Sequence, residues 1–357
     1  MDGIGVYTAA LEKALRQLGI DVRRVGARAG PNLRPAAGAD VRFGLPLAAT
    51  IAFSALSGLP TPFAGRVARA VDLYHSTDYR VPRLAAIPVV ATLYDAIPLA
   101  HPEWANARLR QVKNWLLRAA ARNADRVIAI SHAAAHEVRC HYKVSDDRIR
   151  VVHLGVDEGW FDPTGACDEV IVRDLGLQPG YVLFVGTLQP RKDVATLLGA
   201  YDALPRDVRD SRQLVIVGKY GWGAEPLRLE LEARRPQGRV VWLRYLPLDR
   251  LRAVYRAAGA FAFPSLAEGF GLPVLEALAS GVPVAASDIP AVREVAQTSA
   301  AYCRPGDRES LAEAILAALS APRGAVADGV RREAARGFDW ATCARGTLAV
   351  YRELLPA

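Results

Sequence analysis

Towards its carboxyl-terminal end the chain reads Pro264-Ser265-Leu266-Ala267-Glu268-Gly269-Phe270-Gly271-Leu272-Pro273-Val274-Leu275-Glu276-Ala277. The apolar run 259–263 just before it predicts a buried β-strand. The glycines at 269 and 271 permit close backbone approach to an anion, and a helix that begins after them favours phosphate at its amino terminus. This segment therefore predicts a strand, a glycine-bearing loop and a helix that together suit a phosphate ligand.

Two carboxylates flank this loop, Glu268 before it and Glu276 inside the predicted helix. A carboxylate accepts hydrogen bonds and so can bind vicinal sugar hydroxyls. For either glutamate alone, a solvated surface carboxylate beside a capping glycine is the simpler interpretation. The two are separated by seven residues, Gly-Phe-Gly-Leu-Pro-Val-Leu, in an E-x7-E pattern. That spacing favours a functional pair.

The rest of the chain alternates short apolar runs with segments of helical periodicity. In the first block, strands are predicted at 72–75, 88–93, 126–130 and 150–154, and helices at 6–18 and 108–123. In the second block, strands are predicted at 181–185, 213–217, 240–243, 259–263 and 282–286, with helices at 195–204, 248–258 and 274–279. A last helix is predicted at 340–355. Alternation in two blocks over 357 residues predicts two doubly wound α/β domains.

The first block opens differently from an ordinary doubly wound domain. The chain begins at a predicted turn, Gly3-Ile4-Gly5, where a strand would normally come first. We therefore expect the first strand to be missing, through a mis-called start or a truncation, and its neighbours to lose ladder partners. The amino terminus has neither a basic region nor an apolar region of the kind that signal peptides carry, so we expect no secretion signal.

The net charge of +8 belongs to the first half, because residues 1–150 hold 21 Lys and Arg against 12 Asp and Glu. A basic half favours nucleic acid, an anionic membrane or an acidic substrate. We see no Lys/Arg run and no aromatic-basic module, so we do not expect a nucleic acid partner. The four cysteines are far apart in sequence, which argues against a zinc ribbon, a redox CxxC pair and a disulfide scaffold.

The stretch from Phe43 to Gly65 carries no charged residue. A membrane-spanning helix needs about 20 mostly apolar residues, and Pro46, Pro60 and Pro62 interrupt this stretch. We therefore expect no transmembrane span. Two interpretations stay open: a buried helix and loop of the first domain, or a surface that dips into lipid or holds a lipid tail.

The E-x7-E segment resembles the signature of retaining glycosyltransferases of the GT-B fold, in particular glycosyltransferase family 4. Four more segments resemble that family in the same order: Ala124 to Ser131, Leu154 to Asp157, Val185 to Asp193 and Gly281 to Ser287. The resemblance implies two Rossmann-like domains that face a central cleft. It assigns 1–158 to the acceptor side, 159–339 to nucleotide-sugar binding and 340–357 to a helix that packs back on the first domain.

The resemblance also implies roles for individual residues. Glu276 matches the glutamate that binds the donor ribose, and Glu268 the one that faces the donor sugar. Lys192 matches a diphosphate-binding lysine that Arg191 assists. The donor-binding loops are matched by Gly186, Thr187, Gly269, Phe270, Gly271 and Leu272, and the glycine loop of the first domain by Gly3 and Gly5.

Several positions depart from the family or stay open. Thr187 stands where many members have arginine, so one diphosphate contact is either missing or supplied by Arg191. Tyr94-Asp95 stands where many have His-Asp, and Asp95 either orients a hydroxyl or caps the turn. His75 is either an acceptor contact or a satisfied, partly buried histidine. His132 and His136 lack a carboxylate-rich cluster, so we expect no metal site there.

The implied reaction is retaining transfer of a sugar, mannose in our expectation, from GDP-mannose or another nucleoside diphosphate sugar. Glu268, Lys192, Asp95 and His75 are the expected catalytic residues, and no cofactor or metal is expected. The acceptor would be a lipid-linked saccharide or polysaccharide, and the enzyme cytoplasmic with peripheral inner-membrane contact through its basic half. Two alternatives stay open: another GT-B enzyme, such as a sugar-phosphate synthase or a phosphorylase, and a catalytically impaired nucleotide-binding homologue.

Overall fold

A computed structural model describes residues 3–28, 38–104, 110–163, 165–234 and 237–356. The chain divides into two compact units. Unit 1 comprises Met1–Gly155 with Asp339–Ala357, and unit 2 comprises Val156–Phe338. The predicted boundaries, after 158 and after 339, lie close to these divisions.

Unit 1 begins with alternating helices and short strands. Its α-helices within residues 1–155 are α1 Gly3–Gln17, α2 Leu47–Ser57, α3 Ala64–Ala68, α4 Ile97–Ala100, α5 Arg110–Ala121 and α6 His132–Glu137. Its strands are β1 Val25–Arg28, β2 Val41–Pro46, β3 Tyr74–Ser76, β4 Val89–Leu93, β5 Arg126–Ala129 and β6 Ile149–Val151. Ser131 caps α6 as predicted, because its hydroxyl accepts a hydrogen bond from the amide of Ala134.

Unit 2 repeats the alternation at greater length. Its helices are α7 Ala166–Asp174, α8 Val194–Ala203, α9 Arg206–Ser211, α10 Glu225–Arg234, α11 Leu248–Arg256, α12 Leu272–Ala279, α13 Pro290–Ala296, α14 Arg308–Ser320 and α15 Ala325–Arg336. Its strands are β7 Val182–Val185, β8 Leu214–Val217, β9 Val240–Leu243, β10 Ala260–Phe263, β11 Val284–Ser287 and β12 Ala300–Cys303. The chain then returns to unit 1 as α16, Trp340–Arg352.

The described strands of unit 2 form one parallel sheet in the order β12-β11-β10-β7-β8-β9. Numbered within the unit, this is the Rossmann order 3-2-1-4-5-6. Every residue of β8, β10 and β11 is buried, as in a parallel sheet with helices on both faces. The doubly wound α/β prediction is confirmed. The prediction missed β12, whose edge residues are partly exposed and whose alanines give little strand signal.

The described strands of unit 1 form two parallel sheets, one of β1 and β2 and one in the order β3-β4-β5-β6. The core of this unit collects apolar side chains from β4, from the carboxyl-terminal end of α5 and from the helical turn after α6. The sequence predicts that strands beside a missing first strand lose ladder partners. In the described part of unit 1, the strands pair within these two sheets.

The helix α16 packs within unit 1, as predicted. Its buried face includes Cys343, Thr347 and Tyr351. Gly155 makes this packing possible, because a Cβ there would lie 2.4 Å from the amide nitrogen of Trp340. Glu353, just past the helix, forms ion pairs with Arg126 and Arg150, each at 2.8 Å.

The predicted turn at Gly3-Ile4-Gly5 is wrong, because helix α1 already begins at Gly3. The first helical turn tolerates glycine, since its amides need no intrahelical partner. Tyr7, Leu11 and Leu15 are buried at helical spacing, and the Thr8 hydroxyl donates to the Ile4 carbonyl at 2.9 Å. Helical order therefore extends back through both glycines.

The uncharged stretch 43–65 contains α2, and in the described part of the chain no helix has both the length and the apolar character needed to span a membrane. Of the helix predicted at 108–123, positions 108 and 109 fall outside the described residues, and α5 covers Arg110–Ala121.

Candidate functional site

The candidate site of unit 2 lies where the strand order reverses. Strands β7 and β10 are parallel neighbours, with Val182 opposite Ala260 and Leu183 opposite Phe261. From β7 the chain crosses over to β8 on one side, and from β10 it crosses over to β11 on the other side. The carboxyl ends of β7 and β10 therefore frame the crevice in which α/β sheets bind ligands. The loop 186–193 follows β7 and the loop 264–271 follows β10. Both loops are the ones that the sequence singled out.

Two hydrogen bonds hold these loops together. The amide of Leu266 donates to the carbonyl of Arg191 at 2.8 Å. The Arg191 guanidinium donates through Nη1 to the carbonyl of Ala267 at 3.1 Å. The two loops therefore form one connected surface at the carboxyl ends of β7 and β10.

Glu268 is the centre of a buried group of charges. Its carboxylate forms an ion pair with the ammonium of Lys192 and, at 2.8 Å, with Nη1 of Arg191. The side chains of Glu268 and Lys192 are only 9% and 8% exposed. Burial by itself would raise the pKa of Glu268, but the Lys192 and Arg191 cations outweigh it and lower the pKa to about 2. The carboxylate stays ionised near neutral pH, and the group keeps a net positive charge.

The Lys192 ammonium is fixed from a second side. It lies 4.8 Å from the centroid of the Phe263 ring, at the end of β10. Asp193 then takes a left-handed conformation with φ of 48° and caps α8, accepting from the amide of Thr196. Lys192 is therefore a partly neutralised, positioned cation, unlike the solvated surface lysine that a single charge in a loop usually is.

The glycines at the site have conformations or contacts that other residues do not tolerate. Gly271 has φ of 111° immediately before α12, in the left-handed region that favours glycine. A Cβ at Gly218, after β8, would lie 1.8 Å from the carbonyl oxygen of Gly186. Gly218 is a site residue that the sequence analysis missed, since a lone glycine after a strand gives no sign of what approaches it. Thr187 is exposed, and Phe270 is buried with its ring 5.8 Å from that of Phe338.

Glu276 lies in the second turn of α12. Its carboxylate oxygen Oε2 accepts a hydrogen bond from the hydroxyl of Tyr255 at 3.1 Å. Burial is the largest influence on its pKa and, together with the negative charge of Asp157, raises it to about 7, although Tyr255 and Arg252 act in the opposite direction. The two glutamates of the E-x7-E pair therefore have opposite electrostatic settings.

The predicted site residues His75 and Asp95 form hydrogen bonds with other residues of unit 1. His75 contacts the Tyr351 hydroxyl through Nδ1 at 2.7 Å and the Thr92 hydroxyl through Nε2 at 2.8 Å. Tyr7 also hydrogen-bonds Thr92, at 2.9 Å. Burial lowers the pKa of His75 to about 3, so the ring is neutral. This is the satisfied, partly buried histidine that the sequence left as one of two interpretations.

Asp95 and its neighbour Tyr94 shape the start of α4. The Asp95 carboxylate accepts from the amide of Ile97 at 3.1 Å, which is a turn-capping contact. The Tyr94 ring is buried, and its hydroxyl donates to the carbonyl of Thr77 at 2.9 Å. Gly3 and Gly5, predicted in a loop, lie in the first turns of helix α1.

Comparison with known families covers nearly the whole chain. The profile of glycosyltransferase family 4 matches residues 1–160, and that of the glycosyl transferases group 1 matches residues 171–334. These matches fall on unit 1 and unit 2 respectively.

Curated relatives include enzymes of two kinds. The O-antigen chain mannosyltransferase B of Escherichia coli is 30% identical over 288 residues, which are 79% of this chain and 74% of that protein. The serotype-specific mannosyltransferase WbdA of Escherichia coli is 32% identical over 62% of this chain, but the match spans only 29% of WbdA. The α-maltose-1-phosphate synthase of Mycolicibacterium smegmatis is 30% identical over 99% of this chain and 95% of that protein.

Solved structures share the fold. A sucrose-phosphate synthase from Thermosynechococcus elongatus has a TM-score of 0.75 and 23% identity, over 99% of this chain and 93% of that one. HepE from Anabaena, in complex with UDP and glucose, has a TM-score of 0.65 and 21% identity, over 83% of this chain and 82% of that one. The likeness confirms the predicted GT-B fold class.

Proposed function

The chain belongs to the group 1 glycosyltransferases of the GT-B fold, and on that premise we propose that it transfers mannose from a nucleoside diphosphate sugar to a growing glycan with retention of configuration. The observation that carries the proposal is the charged group at Glu268, Lys192 and Arg191. It lies at the switch point of unit 2, where α/β sheets bind nucleotides.

The donor diphosphate would meet a site with net positive charge. Negative charge develops on the diphosphate as the glycosidic bond breaks, and cations fixed in place stabilise it without reorganisation. Lys192 and Arg191 would supply that charge. The backbone at Gly269 and Gly271 and the start of α12 would bring amides towards the sugar and phosphate.

Glu268 would serve as the anchor of these cations. Its low pKa makes it a poor proton donor near neutral pH, so its carboxylate would orient Lys192 and Arg191 and accept from hydroxyls of the donor sugar. We favour same-face attack of the acceptor hydroxyl on the anomeric carbon. The leaving phosphate then takes the acceptor proton, and no separate base is needed.

The activities of two relatives support a mannosyl donor and a glycan acceptor. Both are mannosyltransferases, and one is named for O-antigen chains. The UDP and glucose bound in the HepE structure support a nucleoside diphosphate sugar as the donor class. We propose GDP-mannose as the donor and a lipid-linked or polysaccharide acceptor.

A sugar-phosphate synthase is the second candidate function. The match to the α-maltose-1-phosphate synthase spans 99% of this chain, and a sucrose-phosphate synthase has a TM-score of 0.75. This candidate differs in its acceptor, which would be a free sugar phosphate. The two candidates share the donor site and are separated by the acceptor alone.

The test is a transfer assay with GDP-mannose and UDP-glucose, each offered a mannose-containing oligosaccharide or a hexose phosphate, with and without a chelator. We expect mannosylation of the oligosaccharide, an α-linked product by NMR, and unchanged rates with the chelator. A β-linked product from the α-linked donor would contradict retention, and transfer to the hexose phosphate would favour the second candidate. No transfer from either donor would overturn the proposal.

We also propose that unit 1 contacts an anionic membrane, where a lipid-linked acceptor resides. Helices α2 and α5 contact each other, and both expose apolar side chains: Phe53, Leu56 and, after the helix, Leu59 from one, and Val112 and Trp115 from the other. We call these five side chains the α2–α5 surface. Exposed apolar and aromatic side chains of this kind partition into a lipid interface.

Cations accompany the α2–α5 surface. Arg110 and Lys113 are exposed on α5 itself, and the guanidinium of Arg66 lies 5.6 Å from the ring of Phe63 beyond α2. Basic side chains beside an apolar surface are attracted to anionic lipids. Residues 1–150 as a whole also carry an excess of positive charge, which would be attracted to the same lipids.

A further inference from the structure

We infer that Tyr255 is the positioning residue for Glu276, holding its carboxylate in the orientation and the ionised form that receive the hydroxyls of the donor ribose. The inference rests on the proposed function, since it takes Glu276 as the ribose contact. It adds a residue that lies outside both donor loops, on helix α11.

The Tyr255 hydroxyl is fixed by the packing of its ring. The residue is 0% exposed, and its ring stacks on Phe261 of β10 at 5.3 Å and meets the edge of Trp160 at 5.0 Å. The hydroxyl points at α12, where Oε2 of Glu276 lies at 3.1 Å and the carbonyl of Pro273 at 3.4 Å. A ring held on two sides confines its hydroxyl to these two acceptors, of which the Glu276 carboxylate is the nearer.

This hydrogen bond leaves most of the carboxylate available. An ionised carboxylate has about four acceptor positions on two oxygens, and Tyr255 occupies one of them. Vicinal ribose hydroxyls need two. Tethering one oxygen restricts the side-chain rotation of Glu276 before the donor arrives, which lowers the entropy lost on binding.

The electrostatic surroundings show why the tether matters. Besides Tyr255, the charged groups that face Glu276 are Asp157, which disfavours the carboxylate, and Arg252, which favours it. Burial and Asp157 prevail and raise the pKa of Glu276 to about 7, so that part of the population is protonated at neutral pH. A protonated carboxyl accepts hydrogen bonds less well. The donation from Tyr255 favours the ionised form and so supports ribose binding.

Tyr181 provides a matched comparison within the same unit. It is also 0% exposed, and its hydroxyl donates to the carbonyl of Val254 on α11 at 2.6 Å. Its removal costs a buried hydrogen bond to the same helix without touching Glu276. A role of Tyr255 in packing alone therefore predicts similar behaviour for Tyr255→Phe and Tyr181→Phe.

The experiment is calorimetric titration of the full chain with GDP-mannose and UDP-glucose from about pH 5.5 to 9. Both probes have a diphosphate esterified at each end, so the ligand itself does not titrate across the neutral range. The proteins are the wild type, Tyr255→Phe, Tyr181→Phe and Glu276→Gln. A variant with 3-fluorotyrosine at position 255 keeps the ring and makes its hydroxyl a stronger donor.

We expect the wild-type dissociation constant to fall, and binding to become tighter, as pH rises through about 7. Tyr255→Phe should move that midpoint upward by about one pH unit, which makes binding about tenfold weaker below the midpoint, with recovery at high pH. The 3-fluorotyrosine variant should move it downward. Tyr181→Phe should follow the wild type, and Glu276→Gln should bind weakly at every pH.

Several outcomes would overturn the inference. A Tyr255→Phe profile that coincides with the wild type would do so, as would an equal loss at every pH that Tyr181→Phe reproduces. If Tyr255→Phe fails to fold, an unshifted 3-fluorotyrosine profile has the same meaning. Wild-type affinity in Glu276→Gln would instead remove the ribose role of Glu276 from the proposed function, and the inference with it.

Discussion

Lys192 and Glu268 form a buried ion pair that joins the loop after β7 to the loop after β10. The pair sits in the crevice where the strand order of unit 2 reverses. Its surroundings explain why two charges can lie there. Arg191 contributes a second cation at 2.8 Å from Glu268, and the Phe263 ring lies beneath the ammonium.

Glu268→Gln should destabilise the protein, because it leaves the buried Lys192 and the partly exposed Arg191 without their carboxylate. Removing one partner of a buried ion pair costs about 3–5 kcal/mol. The carboxyl has a pKa of about 2 in the folded chain and an ordinary value of 4.5. Its stabilisation is complete above pH 4.5 and is lost as pH falls towards 2, so the gap between variant and wild type should shrink in acid. Urea denaturation at several pH values measures the gap.

The control for this change is Glu225→Gln, which alters a solvent-exposed carboxylate paired with Arg228. We expect its denaturation midpoint to stay close to that of the wild type, since exposed ion pairs contribute little. A Glu268→Gln variant as stable as this control would show that the buried pair does not hold the two loops.

Glu276→Gln should make the ligand-free protein more stable at alkaline pH. The folded pKa of about 7 lies above the ordinary value of 4.5, so the wild type loses stability as pH rises from 4.5 to 7. The neutral amide has no such loss, and its oxygen can still accept from Tyr255. Calorimetric melting curves should show the variant gaining on the wild type across that interval and holding its advantage above it. Parallel curves would contradict the raised pKa.

His75→Leu should lower the stability of unit 1 without changing donor affinity. The change removes two hydrogen bonds, to Tyr351 and Thr92, at a cost of about 1–3 kcal/mol. Because the folded pKa is about 3, wild-type stability should fall as pH drops from 6.5 to 3, and the variant should lack that component.

The exposed His136 offers the matched control, and His136→Leu should leave the melting temperature nearly unchanged. An unaltered melting temperature in His75→Leu together with lost sugar transfer would favour the other interpretation of His75, an acceptor contact.

Leu56→Ser together with Trp115→Ser should weaken binding to anionic phospholipid vesicles several-fold, since both side chains belong to the α2–α5 surface. Arg66 on α3 and Arg69 at its carboxyl-terminal cap are both exposed. Arg66→Ala with Arg69→Ala should weaken the same binding and reduce its dependence on salt. Flotation with vesicles of neutral and anionic lipid measures both effects. Leu229→Ser, an exposed apolar position on α10 of unit 2, is the control. Vesicle binding that none of these changes alters would remove the membrane proposal for this surface.

Periodicity was enough to predict nine of the twelve described strands, but it missed β1, β2 and β12 and helices such as α13, α14 and α15. Long apolar runs such as 213–217 and 259–263 became fully buried strands, since parallel strands covered on both faces have no polar alternation to obscure them. Edge strand β12 was not predicted, because its sequence is short and rich in alanine and its side chains are mostly half-buried. The turn predicted at Gly3 and Gly5 was wrong, since glycine indicates a turn in sequence yet is tolerated in a first helical turn.

The candidate site was only partly accessible from sequence. The spacing of Glu268 and Glu276 identified both carboxylates, but not their opposite pKa shifts, which depend on neighbours brought in by folding. Tyr255 and Gly218 gave no local signal. Each acquires its role from a contact with a distant segment, Tyr255 with Glu276 and Gly218 with the carbonyl of Gly186.

The affinity of the chain for nucleotide donors is the measurement that tests the proposed donor site first. Calorimetry with GDP-mannose, UDP-glucose, GDP and UDP would compare the wild type with Glu276→Ala and with the exposed-site control Glu169→Ala. We expect saturable binding of one nucleotide family, weakened at least about tenfold in Glu276→Ala through lost charged hydrogen bonds and unchanged in the control. Binding of none of these ligands, or equal affinity in wild type and Glu276→Ala, would contradict a donor site built on the E-x7-E loop.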